Sequence, residues 1–269
     1  MKLFVLLFFS FSLLFSNVYY SKVDPVEIQK ISSNVVGVVV KTDENSIGEV
    51  LSKSIYIKID SELDEIELKS VESKIILLKN TYTTDEMMLK NLEELVKRKA
   101  KNYKRVQALK IKSSVEKDRE FYDLITSKNL LLNTQKELNS LKVQIEDLKL
   151  RRAKLQRSIR DKNLRAEGFT LYSIDVKVGQ VVNIGTPLAT LADTSKAILT
   201  IFLQPQDRED IQNRVIFIDG KKSSYKISRV LNISDSKNIS KYMAQIIVDA
   251  PKIFSKLVKV ELKERDDVH

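Results

Sequence analysis

Between Leu68 and Ile159 the apolar residues fall at every third and fourth position. A first stripe runs Leu68, Val71, Ile75, Leu78, Tyr82, Leu89, Leu92, Val96, Tyr103 and Val106, broken only by Asp85 and Lys99. A second runs Leu124, Leu131, Leu138, Leu141, Ile145, Leu148, Leu155 and Ile159, with Ser127, Thr134 and Arg152 as its weaker positions. Alternating steps of three and four keep one side of a helix turned toward a partner helix, as a coiled-coil seam requires. There is no glycine between Gly48 and Gly168 and no proline between Pro25 and Pro187, so nothing punctuates the helices. The stripes part near residues 107–114, where Ser113 and Glu116 have the spacing of a capping box that opens a new helix. The pattern predicts arms over 61–110 and 114–164 with a turn at Leu109 to Ser114. Arms of roughly 50 residues each span about 75 Å at about 1.5 Å per residue. Equal arms and a short turn read as an antiparallel hairpin over 61–164. One continuous rod that dimerises, or a separate bundle, is the alternative.

Short β-type segments flank the hairpin and resemble each other. Ahead of it stand Val35 to Val40 and Ile47 to Val50, and behind it Ala166 to Leu171 and Val178 to Val181. Gly37 precedes Gly48 by the same interval as Gly168 precedes Gly179, and in each pair an acid or amide and then valine follow the second glycine. These read as two half-motifs, strand, turn and strand, with Gly37, Gly48, Gly168, Gly179 and Gly185 as structural turn glycines. Each half alone exposes an apolar face, and together they can close a small β unit. From Ala197 onward the chain is β-type again, at Ala197 to Leu203, Arg214 to Ile218, Tyr225 to Ile233, Met243 to Val248 and Leu257 to Leu262. Asp219-Gly220 is a tight-hairpin signal and Gln206 to Gln212 a short helix, which together suggest a small barrel.

The N-terminus changes where this architecture is placed. Lys2, an apolar run from Leu3 to Phe15 and the small Ser16 form a secretory signal pattern over residues 1–16, with cleavage expected near Ser16. The alternative is a retained anchor extended through Val18, Tyr19 and Tyr20. With no cysteine, a lipid anchor on cysteine, disulfides, thiol nucleophiles and thiolate metal sites are all excluded. The single histidine, His269, is the last residue, which leaves histidine-dependent catalysis without its base. No catalytic, cofactor or metal site is expected, and the chain does not read as an enzyme. Met87, Met88 and Met243 are scattered, so they read as packing residues rather than metal ligands. The net charge of +10 falls mostly between residues 97 and 165, where a lysine-rich solvated helix face is expected. Lys97, Arg98, Lys99, Lys101, Lys104, Arg105, Lys110 and Lys112 surround Tyr103 and could attract phosphates, but export argues against a nucleic-acid partner.

A β unit split by a long helical hairpin and followed by a small barrel resembles the HlyD-like periplasmic adaptor, or membrane fusion protein, family of tripartite efflux systems. The resemblance covers residues 26–265 and is best at Val178-Gly179-Gln180-Val181-Val182-Asn183-Ile184-Gly185-Thr186-Pro187-Leu188-Ala189-Thr190-Leu191-Ala192-Asp193, which is similar to the second half of the family's lipoyl-like domain. Ser54 stands where the first half has no counterpart of Gly185. The resemblance implies an α+β multidomain chain: signal peptide 1–16, lipoyl-like halves 26–60 and 165–194, hairpin 61–164 and β-barrel 195–265. Little chain remains for a membrane-proximal domain. Family members that dock on an outer-membrane duct carry an arginine, a leucine and a serine at the hairpin tip, and Arg105, Leu109 and Ser113 offer that set. The resemblance further implies a periplasmic location, self-association into a ring of about six copies, and an inner-membrane transporter as partner. A resistance-nodulation-division transporter is preferred, because the chain is short and its N-terminal segment looks cleavable, and an ABC exporter or type I secretion system comes second. A lipoyl or biotin carrier needs a lysine at the turn joining the two halves, where the helical insertion stands instead. A structural or nucleic-acid-binding coiled-coil protein is the remaining class.

Overall fold

The computed structural model describes residues 17–209, 211–234 and 241–264. The predicted signal segment, residues 1–16, and His269 lie outside the described residues. The first strand, β1 (Asn17–Ser32), is followed by β2 (Gly37–Thr42), β3 (Val50–Ile59), α1 (Glu62–Ala108), α2 (Ser114–Lys162) and β4 (Asn163–Ile174). Then come β5 (Val181–Val182), β6 (Pro187–Leu203), the short helix α3 (Pro205–Glu209), β7 (Val215–Ile218) and β8 (Lys221–Lys222), with β9 (Arg229–Ser234), β10 (Tyr242–Asp249) and β11 (Leu257–Lys263) at the end. The architecture is α+β: one long antiparallel helical pair and antiparallel sheet.

The two arms run 47 and 49 residues, about 70 Å each at about 1.5 Å per residue. They fold back on each other, so the single rod is not the structure. The predicted stripes form the seam. Val71, Ile75 and Leu92 of α1 are buried against α2, which buries Leu124, Leu138 and Ile145 together with the two weak positions Ser127 and Thr134. Their hydroxyls donate to the carbonyls of Asp123 and Leu130 one turn back, at 2.9 and 3.1 Å, which satisfies them inside an apolar seam. Met87 and Met88 correct the expectation of packing residues: they are 55% and 43% exposed, because they lie off the seam.

The hairpin returns the chain to the place it left, and the two glycine-bearing segments interlock. The Gly48 N–H donates to the Leu171 carbonyl at 2.8 Å, and Leu171 N–H donates back to Glu49 at 3.0 Å. In the mirrored contact Gly179 N–H donates to the Val39 carbonyl at 2.8 Å, and Val39 N–H to Gln180 at 2.9 Å. Around these contacts Val39, Leu51, Tyr56, Ile57, Ile59, Leu171, Val182 and Leu188 form one apolar core. A second core gathers Leu199, Ile201, Leu203, Ile216, Ala244, Ile246, Val260 and Leu262.

Two strands serve both cores. Residues 17–22 of β1 pair with β11 and residues 23–32 with β6, with a register shift after Pro25, which has no N–H for the ladder. β6 pairs with β4 through residues 189–192 and with β10 through residues 196–203. Asn17 to Pro25 therefore belong to the sheet, a contribution the sequence pattern did not reveal. Val18, Tyr19 and Tyr20, considered above as the extension of an anchor, are strand residues facing β11. β7 and β8 form the expected tight hairpin, with Asp219 and Gly220 at φ 48° and 79°. Tyr225 to Ser228, expected in a strand, lie ahead of β9. Tyr225 instead donates its hydroxyl to Asp249 at 2.9 Å, and Ile227 fills the second core.

Candidate functional site

The hairpin tip stands at the far end of both arms from the sheet, carried by groups that fix its shape. Tyr103 and Phe121 face each other across the seam with ring centroids 5.8 Å apart, and Asn102 donates to the Glu120 carboxylate at 2.6 Å. Beyond them α1 ends at Ala108, and Leu109 turns to extended backbone with its N–H on the Val106 carbonyl at 3.2 Å. α2 opens with the predicted capping box. The Ser113 hydroxyl accepts from Glu116 N–H at 3.3 Å, and the Glu116 carboxylate accepts from Ser113 N–H at 3.0 Å. Lys112 closes on the same carboxylate at 2.9 Å. Its hydrogen bond, then the Ser113 backbone and hydroxyl, hold the Glu116 carboxyl below its usual pKa.

The three tip residues expected from the sequence occupy different roles. Arg105 lies in the last turn of α1 and donates to the Asn102 side chain at 2.8 Å, so one edge of its guanidinium is held and the rest faces solvent. Leu109 sits at the turn, 41% exposed. Ser113 is the N-cap of α2. The structure adds two residues that sequence reasoning passed over: Ile111 and Val115 are 91% and 75% exposed at the apex. The signal was present. Both are apolar, Ile111 stands in the turn and Val115 at the start of α2, and neither lies on either heptad stripe.

Charge surrounds this apolar cap. Residues 97–117 contain nine lysines and arginines and one acid, Glu116. The arrangement leaves Leu109, Ile111 and Val115 as exposed apolar knobs inside a basic collar. Among the described residues no group of three or more histidine, cysteine, aspartate or glutamate side chains could hold a metal ion. No helix among them is long and apolar enough to cross a membrane.

The opposite end of the hairpin is locked to its own base. Ser158 donates to the Asp64 carboxylate at 2.6 Å and the Lys162 ammonium lies 3.0 Å from it. Partial burial raises the Asp64 pKa, but Ser158 and Lys162 together hold it below the usual carboxylate value. Arg151 reaches Glu67 at 2.6 Å, and Asn163 donates to Ser61 at 3.4 Å across the point where α1 begins and α2 ends.

The glycines divide by role. Gly48, Gly168, Gly179 and Gly185 adopt positive φ. Gly168 does so inside β4 rather than at a turn, where the pairing with β3 changes register. Gly37 departs from the turn reading altogether: it opens β2, and a Cβ there meets the Ile59 Cγ2 methyl at 2.6 Å, so the position is small because two strands touch.

No family model matches the chain, and no curated protein matches it in sequence. Solved structures do match over nearly its whole length. MacA from Actinobacillus actinomycetemcomitans is similar at a TM-score of 0.69 and 17% identity, covering 93% of this chain and 78% of its own. A MacA-MexA chimera containing the Pseudomonas aeruginosa MexA α-hairpin domain gives 0.57 and 15%, covering 93% and 81%. The membrane fusion protein Spr0693 from Streptococcus pneumoniae R6 gives 0.59 and 12%, covering 93% and 100%. At these identities the likeness is one of fold, and this chain has the fold of the membrane fusion proteins, the periplasmic adaptors.

Proposed function

We propose that this chain is the periplasmic adaptor subunit of a tripartite efflux assembly, linking an inner-membrane transporter to an outer-membrane duct for the export of drugs or other small molecules. The observation that carries this reading is a rigid hairpin about 70 Å long, rooted in interlocked β segments and ending in an apolar cap with a basic collar. Such a part works by geometry. It performs no chemistry, needs no cofactor, and spans a distance between two membrane partners. In this reading the first core, from 26–60 and 165–194, is the lipoyl-like unit, and the second, from 195–265 with residues 17–25 of β1, is the small barrel. Copies stand side by side in a ring of about six. Export by residues 1–16 places the chain in the periplasm.

At the tip, Leu109, Ile111 and Val115 enter grooves of the duct while Arg105 and its lysine neighbours meet carboxylates or carbonyls. Ser113 holds the turn in shape. Arg105→Asp combined with Leu109→Asp is expected to abolish both export and co-purification of the duct while leaving the helical signal in circular dichroism unchanged. Intact export and co-purification in that variant overturn the docking reading. A resistance-nodulation-division transporter is the preferred inner-membrane partner and an ABC exporter the second. The transporter recovered by cross-linking from the native envelope decides between them.

A further inference from the structure

β4 changes partners along its length. Residues 163–170 pair with β3 and residues 170–174 with β6, while residues 27–32 of β1 run along the other edge of β6. The strand thus leaves β6 as it nears the hairpin root, and a cleft of about 940 Å³ opens between it, β1 and the last turn of α2. Sites for small organic molecules have volumes of about 300 to 1,000 Å³. Ile31, Ile55, Phe169 and Leu191 give this one an apolar wall.

Tyr56 meets the cleft from a β-bulge. Ile55 pairs with Arg165 and Ile57 with Leu164, so Tyr56 is an extra residue with none opposite it on β4, and a bulge of this kind re-aims its side chain. The side chain is 2% exposed and lines the cleft, yet its hydroxyl has no hydrogen-bond partner among the described residues. Buried hydroxyls are normally hydrogen-bonded, so this one is an exception that points to a ligand. Nor is its oxygen sealed in: the side-chain polar atoms enclosed without a partner among those residues are Arg152 Nε and Arg214 Nε. Burial alone pushes the Tyr56 pKa up to about 12, so the group is a hydrogen-bond donor throughout the physiological range.

Charge selects the ligand. Lys58, Arg160 and Arg165 line the cleft, and none of them makes an ion pair among the described residues. The cleft's carboxylates are already engaged: Glu65 accepts from the Ser61 hydroxyl at 2.7 Å, Glu167 lies 3.1 Å from Lys53, and Asp161 lies 3.8 Å from Arg157. Free cations beside a free donor and an apolar wall suit a molecule with an apolar body and an acidic head, and they repel a cation. We propose that this cleft binds an amphipathic organic anion of the fatty-carboxylate class, with its head at Lys58, Arg165 and the Tyr56 hydroxyl and its body against Ile31, Phe169 and Leu191. The walls come from both the hairpin root and the sheet, so a bound molecule touches both. Such a site does not depend on what the hairpin tip meets.

Laurate, kept below its micelle concentration, is the probe, and dodecyltrimethylammonium, with a matching tail and a cationic head, is its control. In calorimetric titration of the full chain, laurate is expected to bind and the cation to bind at least about tenfold more weakly. Arg165→Glu is expected to weaken laurate by at least about tenfold, and Tyr56→Phe, which keeps the ring, by about three- to tenfold. Lys101→Glu, near the hairpin tip, should change the affinity by less than about twofold, since a charge many screening lengths away is not felt. Bound laurate should slow amide exchange at residues 55–58 and 163–169. Absence of laurate binding, equal binding of the two amphiphiles, unchanged affinity in Arg165→Glu, or protection confined to other segments overturns the site. Tyr56→Phe also tells a ligand-facing hydroxyl from a structural one: without laurate its thermal midpoint should rise or stay within about 2 °C, because no protein hydrogen bond is lost. A clear fall in that midpoint overturns the role given to the hydroxyl.

Discussion

At Gly37 a single missing methyl decides whether two strands can touch. The residue has ordinary backbone geometry, but an added Cβ meets Cγ2 of the fully buried Ile59 at 2.6 Å. Gly37→Ala is therefore expected to cost about 1 to 3 kcal/mol through overpacking. Ile59→Ala alone leaves a cavity and costs about 2 to 5 kcal/mol. The double variant should lose clearly less than the two losses added, by urea denaturation, because the second change makes room for the first. Strict additivity would show that the contact is not the reason for glycine. Asp64 makes a residue-scale statement about pH. Its folded pKa lies below the unfolded value, so its stabilisation is complete above the unfolded value and disappears as pH falls through the folded one. The hairpin root should loosen on acidification in that range, read as faster amide exchange near residues 61–65 and 158–163. Asp64→Asn should remove the pH dependence of that exchange.

On the scale of the helical arms, the seam shows how polar residues are tolerated in a coiled coil and where they are not. Ser127 and Thr134 return their hydroxyls to their own helix and so leave no group unsatisfied. Arg152, on the same stripe, has its Nε buried without a hydrogen-bond partner. A buried donor without a partner costs stability, whereas an apolar side chain of similar reach fills the seam. Arg152→Leu is expected to raise the thermal midpoint of the chain, and a lowered midpoint would mean that the arginine contributes through contacts other than its Nε.

In the molecule as a whole, β1 and β6 tie two cores into one body. β1 is fastened at its start by Asn17 and Tyr19, which both donate to the buried Asp207 of α3. Burial first, and then the hydrogen bond to Asp207, raises the Tyr19 pKa. Asp207→Ala strands two donors and is expected to cost about 1 to 3 kcal/mol. Hydrogen exchange should quicken at residues 17–22 and 257–262 and stay unchanged in α1 and α2. Quickening in the hairpin instead would show that the two ends of the molecule unfold together.

The hairpin, its turn, its capping box and the seam were legible in the sequence because they rest on local rules: a helical period, the absence of glycine and proline, and a serine three residues ahead of a glutamate. The repeated glycine interval likewise foretold that two distant segments share one unit. The β strands were legible in part. Asn17 to Pro25 carry no strand signal of their own, since Lys22, Asp24 and Pro25 interrupt any alternation, and only β11 and β6 supply the partners that make them a strand. Gly37 reads in the sequence as a turn glycine and is a strand residue instead, because its steric closeness to Ile59 exists only once β2 lies on β3. Ile111 and Val115 were missed because periodicity ranks residues by the stripe they join, and these two join none. The sequence by itself determined which segments are helical, where they reverse and which face is apolar. The tertiary structure decided which strands meet and which apolar side chains remain uncovered, since both depend on neighbours far away along the chain.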